Sequence, residues 1–198
     1  IDNRTRTSRR YRMTYTEAAK LNAFYDKIKS IYRLKDVIRY NTRKVIAHEN
    51  VAAHCFNVAV IALLICDDYD LGHNIQHRSI VKALLHDMPE MYFNDITHDV
   101  KEKLNLQSIL QHYEDAFYKE HFPLYEDLMT KYQSIVDEVV AYADVLSVKQ
   151  YIDNEIELGN LSPDIKEIQA ATYIRLRKCK QALETAIEKE KKEHGTLA

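Results

Sequence analysis

The longest uncharged stretch of the chain is VAAHCFNVAVIALLIC, residues 51–66. It is apolar nearly all round, which is typical of a helix that is buried on every side. Asn50 stands directly before it and can cap the helix by accepting a backbone N–H. Sixteen residues are too few to span a bilayer. We therefore expect this stretch to form the central helix of a folded domain.

The segments on either side of this stretch also have helical periodicity. Apolar residues recur at intervals of three and four, as on the buried face of an amphipathic helix. The predicted helices are residues 14–32, 51–66, 79–87, 100–121, 124–157 (one long or two stacked) and 164–192. The predicted connections and turns are residues 36–48, 72–77, 90–99 and 159–163. The sequence thus predicts an all-α domain of about six or seven helices, with strands essentially absent.

The composition agrees with this interpretation. A chain of 198 residues, 46% apolar and 29% charged, is long enough for one domain with a real core. Three glycines and three prolines are too few for a sandwich or barrel, which needs frequent turns. Its three cysteines, an odd number without metal-ligand spacing, are typical of reduced thiols in a cytoplasmic protein.

Charge and the ends of the sequence suggest its partners and its organisation. A net charge of −2 favours neither a membrane nor a stable nucleic-acid partner. We expect residues 1–13 to form a basic, flexible arm, and they show no signal-peptide pattern. The sequence predicts a single helical domain over residues 14–190 and a polar tail over residues 191–198. Because such arms and charged terminal helices often reach across an interface, we expect a homo-oligomer.

Four chemically distinctive residues lie in or beside apolar segments. They are His54 in the central stretch, the pair His86-Asp87 after Ile80–Leu85, and Asp144 within Val139–Leu146. A carboxylate among core residues is costly unless its charge is compensated. A divalent cation held by two imidazoles and two carboxylates would compensate both charges at once.

Such a ligand set predicts hydrolytic chemistry. Imidazole and carboxylate together suit Zn²⁺, Co²⁺, Mn²⁺ or Fe²⁺, and four ligands leave room for water on the cation. The cation lowers the pKa of that water, which favours hydrolysis. Taken singly, His54 is more typical of a satisfied core histidine and Asp144 of an ion-pair partner. The four together on three apolar segments favour the metal site.

These residues, in this order, resemble the HD superfamily of metal-dependent phosphohydrolases, an all-α fold named for its His-Asp doublet. Within it, the chain resembles the branch of bacterial 5′-deoxynucleotidases and related phage deoxynucleotide phosphohydrolases. Flanking motifs carry the resemblance: they are Glu49-Asn-Val-Ala-Ala-His54, His86-Asp-Met-Pro-Glu90 with Asp95, and Tyr142-Ala-Asp-Val-Leu146. The likeness covers roughly residues 30–160.

The resemblance implies a role for each matching residue. It implies one divalent transition metal per subunit (Co, Mn, Zn or Fe), held by His54, His86, Asp87 and Asp144. It assigns Glu90 to position or activate water, and Asp95 as a candidate acid for the leaving sugar oxygen. Arg39, fifteen residues before the first histidine, occupies the position of the family's phosphate-binding arginine.

The substrate side departs from the family pattern. Tyr40 stands where the 5′-deoxynucleotidases carry a tryptophan that packs on the sugar, and the chain has no Trp. Tyr40 can still stack, so a deoxyribose preference is retained as an expectation. Arg43 and Lys44 are further candidates for phosphate binding. The spacings between the motifs are closer to those of compact phage dNTP triphosphohydrolases.

The sequence leaves four functions open. We favour a 5′-deoxynucleotidase that releases phosphate from dNMPs, because Arg39, Glu90 and Asp95 are in register with it. The first alternative is a dNTP triphosphohydrolase, which needs additional Mg²⁺ or Mn²⁺ around the longer phosphate chain. A binuclear HD phosphodiesterase would use two more histidines, for which His112 and His121 are candidates on a charged, surface-type helix. The last alternative is a non-catalytic nucleotide-binding scaffold.

Overall fold

The computed structural model describes residues 14–96, 98–123 and 133–194. In this part of the chain there are six helices of 13 residues or more and two short ones. They are α1 (Tyr15–Tyr32), α2 (Val51–Asp68), α3 (His73–Leu85), α4 (Glu90–Phe93), α5 (His98–Lys103), α6 (Gln107–His121), α7 (Gln133–Glu157) and α8 (Pro163–His194). The all-α prediction is confirmed.

Helix α2 is the central helix, as predicted. The Asn50 side chain caps it by accepting the Ala53 N–H at 2.8 Å. It continues two residues beyond the predicted end, to Asp68. At 18 residues with a mean hydropathy of 1.7 it is long and apolar enough for a membrane span, a test that core helices also pass. Its packing identifies it as a core helix: Val58, Ala62 and Cys66 are fully buried.

The main core joins α2 to three other helices. Helix α7 lies against α2, α3 and α8, and its apolar residues fill the space between them. The fully buried members of this core are Val58, Ala62, Cys66, Ala83, Val136, Val139, Ala143 and Leu183. Burial of this kind contributes about 1.5–3 kcal/mol per large apolar side chain. The same packing fixes α2 against α7, the two helices that carry His54 and Asp144.

Three predicted boundaries are wrong. Helix α3 begins at His73 and not at Ser79, because Ile75 is buried in the core and residues 73–77 therefore belong to the helix. The segment 90–99, predicted as a loop, contains the short helix α4 and the start of α5. The predicted helix 100–121 is interrupted at Asn105, which has a φ of 56° and separates α5 from α6.

The connection between α1 and α2 is irregular, as predicted, apart from the short 3₁₀ turn Arg33–Asp36. Ile38 and Asn50 form an isolated antiparallel bridge, the one β-pairing in the described residues. On one side the Arg39 N–H donates to the Glu49 carbonyl, and on the other the Val51 N–H donates to the Val37 carbonyl, both at 2.9 Å. This pairing brings Arg39 beside the first turn of α2.

A buried carboxylate fixes the rest of this connection to α7. Glu155 is fully buried and accepts the backbone N–H groups of Ile46 at 2.8 Å and Ala47 at 2.6 Å. The Asn160 amide also donates to it, at 2.5 Å, after a turn at Gly159 with a φ of 91°. Burial by itself raises the pKa of Glu155, but these donors outweigh it and hold the pKa below its ordinary value.

Two predictions of organisation concern residues outside this description. The basic arm, residues 1–13, and the last residues of the predicted tail, 195–198, lie outside the described residues, as do residues 124–132 of the predicted helix 124–157. The single-domain assignment for residues 14–190 stays a prediction.

We predict that Glu155→Ala lowers the free energy of unfolding by about 2–4 kcal/mol, because two backbone N–H groups and the buried Asn160 amide lose their acceptor. Urea unfolding at neutral pH measures this. Glu157→Ala, an exposed change on the same helix, is the control and should have little effect. Because the pKa of Glu155 is lowered on folding, its contribution is present above about pH 4.5 and is lost as pH falls. Equal stability of the two variants would contradict the assignment.

Candidate active site

Four predicted residues meet at one point between α2, α3 and α7. The imidazole Nε2 of His54 lies 3.6 Å from Oδ2 of Asp87 and 3.1 Å from Oδ1 of Asp144. The Nε2 of His86 lies 3.2 Å from the same Asp87 oxygen. Ligand atoms of His54, His86 and Asp87 all lie within 4.8 Å of one another. Residues separated by up to 90 positions in the sequence are therefore brought together as predicted.

The two imidazoles are suited to a cation. Nε2 of His54 and Nε2 of His86 are both buried and make no hydrogen bond in the described structure, although carboxylate oxygens are near. His86 Nδ1 lies 2.7 Å from the Ala83 carbonyl, which can only accept. In the neutral imidazole the proton therefore sits on Nδ1, and Nε2, which faces Asp87, keeps its lone pair for a cation. This is the usual arrangement of a histidine that ligates a metal.

The charges of this cluster depend strongly on one another. Burial by itself raises the pKa of Asp87, but the His86 imidazole outweighs it and holds this pKa well below the usual range. Burial acts in the same way on Asp144, and the contact with His54 again lowers the pKa. Burial lowers the pKa of His86, but Asp87 outweighs it and raises that pKa well above the ordinary value. A proton on His86 and a divalent cation would thus compete for the same carboxylates.

Arg39 lies on the Nδ1 side of the His54 ring, and only part of its side chain lines the cavity beside the cluster. Its Nη1 donates to Oε2 of Glu49 at 2.9 Å and lies 2.7 Å from Nδ1 of His54. A guanidinium only donates, so this contact needs a His54 whose Nδ1 accepts. Ligation through Nε2 needs the other tautomer, with a proton on Nδ1, and the Ser147 hydroxyl at 3.3 Å is an acceptor for it.

Glu90 is placed beside the cluster at the start of α4. Its side chain is buried, its Oε2 has no hydrogen bond within the described structure, and Lys101 Nζ lies 3.5 Å from Oε1. Burial, followed by the negative charge of Asp87, raises the pKa of Glu90 to about 9, against the opposing effect of Lys101. Glu90 therefore carries a proton at neutral pH in this arrangement, and a nearby cation would favour its release.

Asp95 and Tyr40 connect the two loops that border the pocket. Oδ2 of Asp95 accepts the backbone N–H of Tyr40 at 2.9 Å. Tyr40 has a φ of 55°, and its ring stacks on Tyr151 with a centroid distance of 5.1 Å and an interplanar angle of 11°. A non-glycine residue in this region of φ is uncommon and requires support from its surroundings. Here Asp95 and Tyr151 provide that support.

A cavity of about 340 Å³ opens beside the His-Asp cluster. Seven of the predicted residues line it: Arg39, Tyr40, Arg43, Asp87, Glu90, Asp95 and, from α7, Asp144. Lys44, predicted to bind substrate, is not placed there. Its side chain is exposed, and its backbone N–H and carbonyl are turned to Asp164 and Asn160. The turn after Tyr40 thus directs Arg43 inward and Lys44 outward.

One whole wall of this cavity consists of residues that the sequence motifs did not predict. Helix α8 provides Glu167, Ile168, Ala171, Thr172 and Arg175, and α5 provides Lys101. Arg175 Nη2 lies 3.3 Å from Oδ2 of Asp144. The spacing of residues 168, 171, 172 and 175 puts them on one helix face. This spacing is visible in the sequence, but it does not reveal which part of the protein the helix face packs against.

The two histidines that a binuclear phosphodiesterase would use lie away from the His-Asp cluster. His112 is exposed. His121 is half-buried, whereas a surface position was predicted for it. Its ring stacks on Phe117 with a centroid distance of 4.4 Å, and its Nδ1 lies 3.1 Å from the Phe117 carbonyl. Within the described residues, neither belongs to the group of ligand atoms around His54.

The order and geometry of these residues agree with a comparison against protein families. Residues 26–190 match the family of YfbR-like 5′-deoxynucleotidases. The chain belongs to this family. The resemblance to HD phosphohydrolases is thereby confirmed, and with it the expectation of a metal-dependent hydrolase. No curated protein sequence matches the chain significantly.

Several solved structures share this fold. The HD phosphohydrolase DatZ of cyanophage S-2L, solved with dA and one catalytic Zn²⁺, is 14% identical, with a TM-score of 0.65 over 83% of this chain and 96% of DatZ. A protein from Pyrococcus horikoshii is 23% identical, with a TM-score of 0.65 over 88% and 99% of the two chains. An HD-domain phosphohydrolase from Listeria innocua is 20% identical, with a TM-score of 0.60 over 87% and 91%. At these identities the likeness concerns the fold.

We predict that this site binds divalent metal more tightly as pH rises. His86 must lose its proton before it can ligate, and its pKa lies well above the ordinary value, so affinity should increase by up to about tenfold per pH unit. Calorimetric titration of the protein with Mn²⁺ at about pH 6 and about pH 8 measures this. His77→Ala removes an exposed histidine of α3 and should leave the pH dependence unchanged, whereas His86→Ala should abolish tight binding. A pH-independent affinity in the wild type would contradict the prediction.

Proposed function

We propose that the chain is a 5′-deoxynucleotidase that hydrolyses the phosphate monoester of dNMPs with one divalent transition metal per subunit. Membership of the YfbR-like 5′-deoxynucleotidase family supports the reaction. The dA and the single catalytic Zn²⁺ in DatZ support a deoxynucleoside moiety and a mononuclear site. The His-Asp cluster supports a metal site in this chain.

The choice between a monophosphate and a triphosphate substrate rests on the charge of the cavity. The described lining residues have four cationic side chains and five carboxyl groups, a net charge of −1 when all are ionised and of zero when Glu90 carries its proton. A bound divalent cation, which would favour the ionised form of Glu90, would bring the net charge to +1. A phosphate monoester has a charge of about −2 at neutral pH, which this site can accommodate, whereas a triphosphate carries about −4. The triphosphohydrolase alternative would therefore need further Mg²⁺ or Mn²⁺.

The site residues have distinct roles in this proposal. His54, His86, Asp87 and Asp144 would hold the cation, which would supply a Lewis acid for the phosphoryl oxygens and lower the pKa of water. All four are buried or half-buried, His54 and Asp144 on core helices and His86-Asp87 in the turn that follows α3, so the cation would be held without rearrangement of the backbone.

Proton transfer is assigned to the two carboxylic acids at the cavity. Glu90 has an oxygen that is buried and without a hydrogen bond in the described structure, and it can hold a proton at a pKa of about 9. We assign it to accept the proton of the attacking water once a cation favours its ionised form. Asp95 is assigned as the acid for the leaving sugar oxygen, through the oxygen that Tyr40 does not occupy.

Arg39 and Arg43 are assigned to the phosphate. When Nδ1 of His54 carries the proton and donates to Ser147, the Arg39 guanidinium has to leave Nδ1, and its fork can turn toward the cavity that it lines. Arg43 lines the same cavity and lies 3.6 Å from Asp164. The metal-compatible tautomer of His54 and the phosphate-binding position of Arg39 are therefore coupled.

A nucleotide panel tests the proposal. The protein is incubated with dAMP, AMP and dATP plus Co²⁺ or Mn²⁺, and the released Pi and PPPi are separated and quantified. We expect Pi from dAMP and no PPPi from dATP. Asp87→Asn should lower turnover by roughly three orders of magnitude or more, because it removes a metal ligand, whereas the exposed Asp68→Asn should retain activity. PPPi as the main product would overturn the choice of substrate.

The same panel examines the role of Tyr40 in sugar selection. The Tyr40 ring lines the cavity and is held rigidly on Tyr151, so it offers a fixed face next to the sugar. We expect Tyr40→Leu to lower the preference for dAMP over AMP by roughly tenfold. Tyr40→Phe keeps the ring and should keep the preference.

We also propose a cytoplasmic homo-oligomer. Helix α1 has no buried residue, and apolar side chains are exposed both on α1 and on α2. They are Leu21, Phe24, Tyr25, Tyr32, Phe56, Val60 and Leu64. Exposed apolar surfaces of this kind favour association. We expect sedimentation equilibrium to give a dimer or higher oligomer at micromolar concentration; a monomer would contradict this proposal.

A further inference from the structure

One face of helix α8 forms a wall of the cavity. Ile168, Ala171, Thr172 and Arg175 line the cavity at intervals of three and four residues, so they follow one another along a single helix face. Thr172 is buried, and its hydroxyl donates to the Ile168 carbonyl at 2.7 Å, so that this donor is satisfied within the helix. The wall is therefore apolar in its middle and ends in a guanidinium.

The Arg175 guanidinium lies next to the proposed metal ligand. Its Nη2 is 3.3 Å from Oδ2 of Asp144, while Oδ1 of the same carboxylate is 3.1 Å from Nε2 of His54. One oxygen of Asp144 thus faces the cluster and the other faces Arg175. A phosphate oxygen that shares a cation with Asp144 would be near the guanidinium fork.

The side chains of the other three cations of the cavity, Arg39, Arg43 and Lys101, are less exposed than that of Arg175. Arg39 is buried, and its Nη1 contacts both Glu49 and His54. Lys101 faces Glu90, whose proton it influences. The contact of Arg175 with Asp144 uses one of the five N–H donors of a guanidinium, and its side chain is 37% exposed. Arg175 therefore has donors and freedom of movement for a ligand in the cavity.

We propose that Arg175 binds the substrate phosphate directly and that α8 supplies this part of the site. The proposal rests on the proposed function, because it places a phosphate monoester beside a cation held by Asp144. A planar guanidinium can donate two parallel hydrogen bonds to phosphate oxygens, and such charge-assisted pairs are strong. Arg175 then exchanges its bond to Asp144 for bonds to the phosphate.

Binding of inorganic phosphate tests this without turnover. Phosphate is titrated calorimetrically into the Mn²⁺-saturated full chain, for the wild type and for Arg175→Ala, Arg175→Gln and Arg175→Lys. We expect the Kd of phosphate to rise about 10- to 100-fold in Arg175→Ala and Arg175→Gln. Arg175→Lys keeps the charge without the fork and should give an intermediate Kd. Arg177→Ala, an exposed change on the same helix, should leave the Kd within about twofold.

A parallel titration with Mn²⁺ alone separates ligand binding from positioning of Asp144. We expect the Kd of Mn²⁺ to change less than about threefold in Arg175→Gln. If Mn²⁺ affinity fell tenfold or more and saturating Mn²⁺ restored phosphate binding, Arg175 would only orient Asp144 and the proposal would be overturned. An unchanged phosphate Kd in Arg175→Gln, or no phosphate binding by the wild type, would overturn it too.

The two proposals can fail separately. If the wild type cleaves no deoxynucleotide but binds phosphate in a way that depends on Arg175, the proposed function is wrong and the role of Arg175 stands. If it cleaves dAMP and the Arg175 variants keep wild-type phosphate affinity and KM, the function stands and the role of Arg175 is wrong.

Discussion

The fully buried imidazole of His54 is the contact on which the site depends. Its Nε2 side meets Asp87 from the end of α3 and Asp144 from α7, and its Nδ1 side meets Arg39 and Ser147. An apolar helix can carry such a ring in its first turn only if both nitrogens are met by polar groups. The position of α2 in the core therefore fixes the positions of α3, α7 and the loop before α2.

That loop is held at both ends by buried charge. Near its start the Arg39 guanidinium pairs with Glu49 and contacts His54; near its end Glu155 accepts the N–H groups of Ile46 and Ala47. The segment between these points carries Tyr40 and Arg43 into the cavity. A loop with few backbone partners of its own thus gains a defined conformation from side chains of the helices around it.

The sequence was sufficient for the features that depend on local pattern and on the cost of buried charge. The central helix followed from an uncharged run with an Asn cap, and the ligand cluster followed from polar residues in apolar segments. The order of the motifs then led to the family. The α3 boundary was missed because the burial of Ile75, a tertiary contact, overrides the local Gly72-His73 turn signal.

The errors in the prediction of the site residues have a different cause. Arg175 meets Asp144 across the interface of α7 and α8, and no local periodicity reports which charged residue of a long polar helix faces a cavity. Lys44 was included because it neighbours Arg43, but consecutive residues after a turn point in different directions, and only Arg43 reaches the cavity. Side-chain direction at such positions is set by the fold, which motif spacing does not contain.

Charge pairing in the cavity connects the fold to the proposed chemistry. Lys101 faces Glu90, Arg175 faces Asp144, and Arg43 faces Asp164 and Glu167. Paired cations exert a weak field at a distance, so the cavity by itself does not attract a highly charged anion. A divalent cation at the His-Asp cluster would attract the Asp144 carboxylate. This attraction would weaken its contact with Arg175 and favour the release of Arg175 toward an incoming phosphate. Metal binding and phosphate binding would then be coupled through one carboxylate, which favours a small, doubly charged anion over a long one.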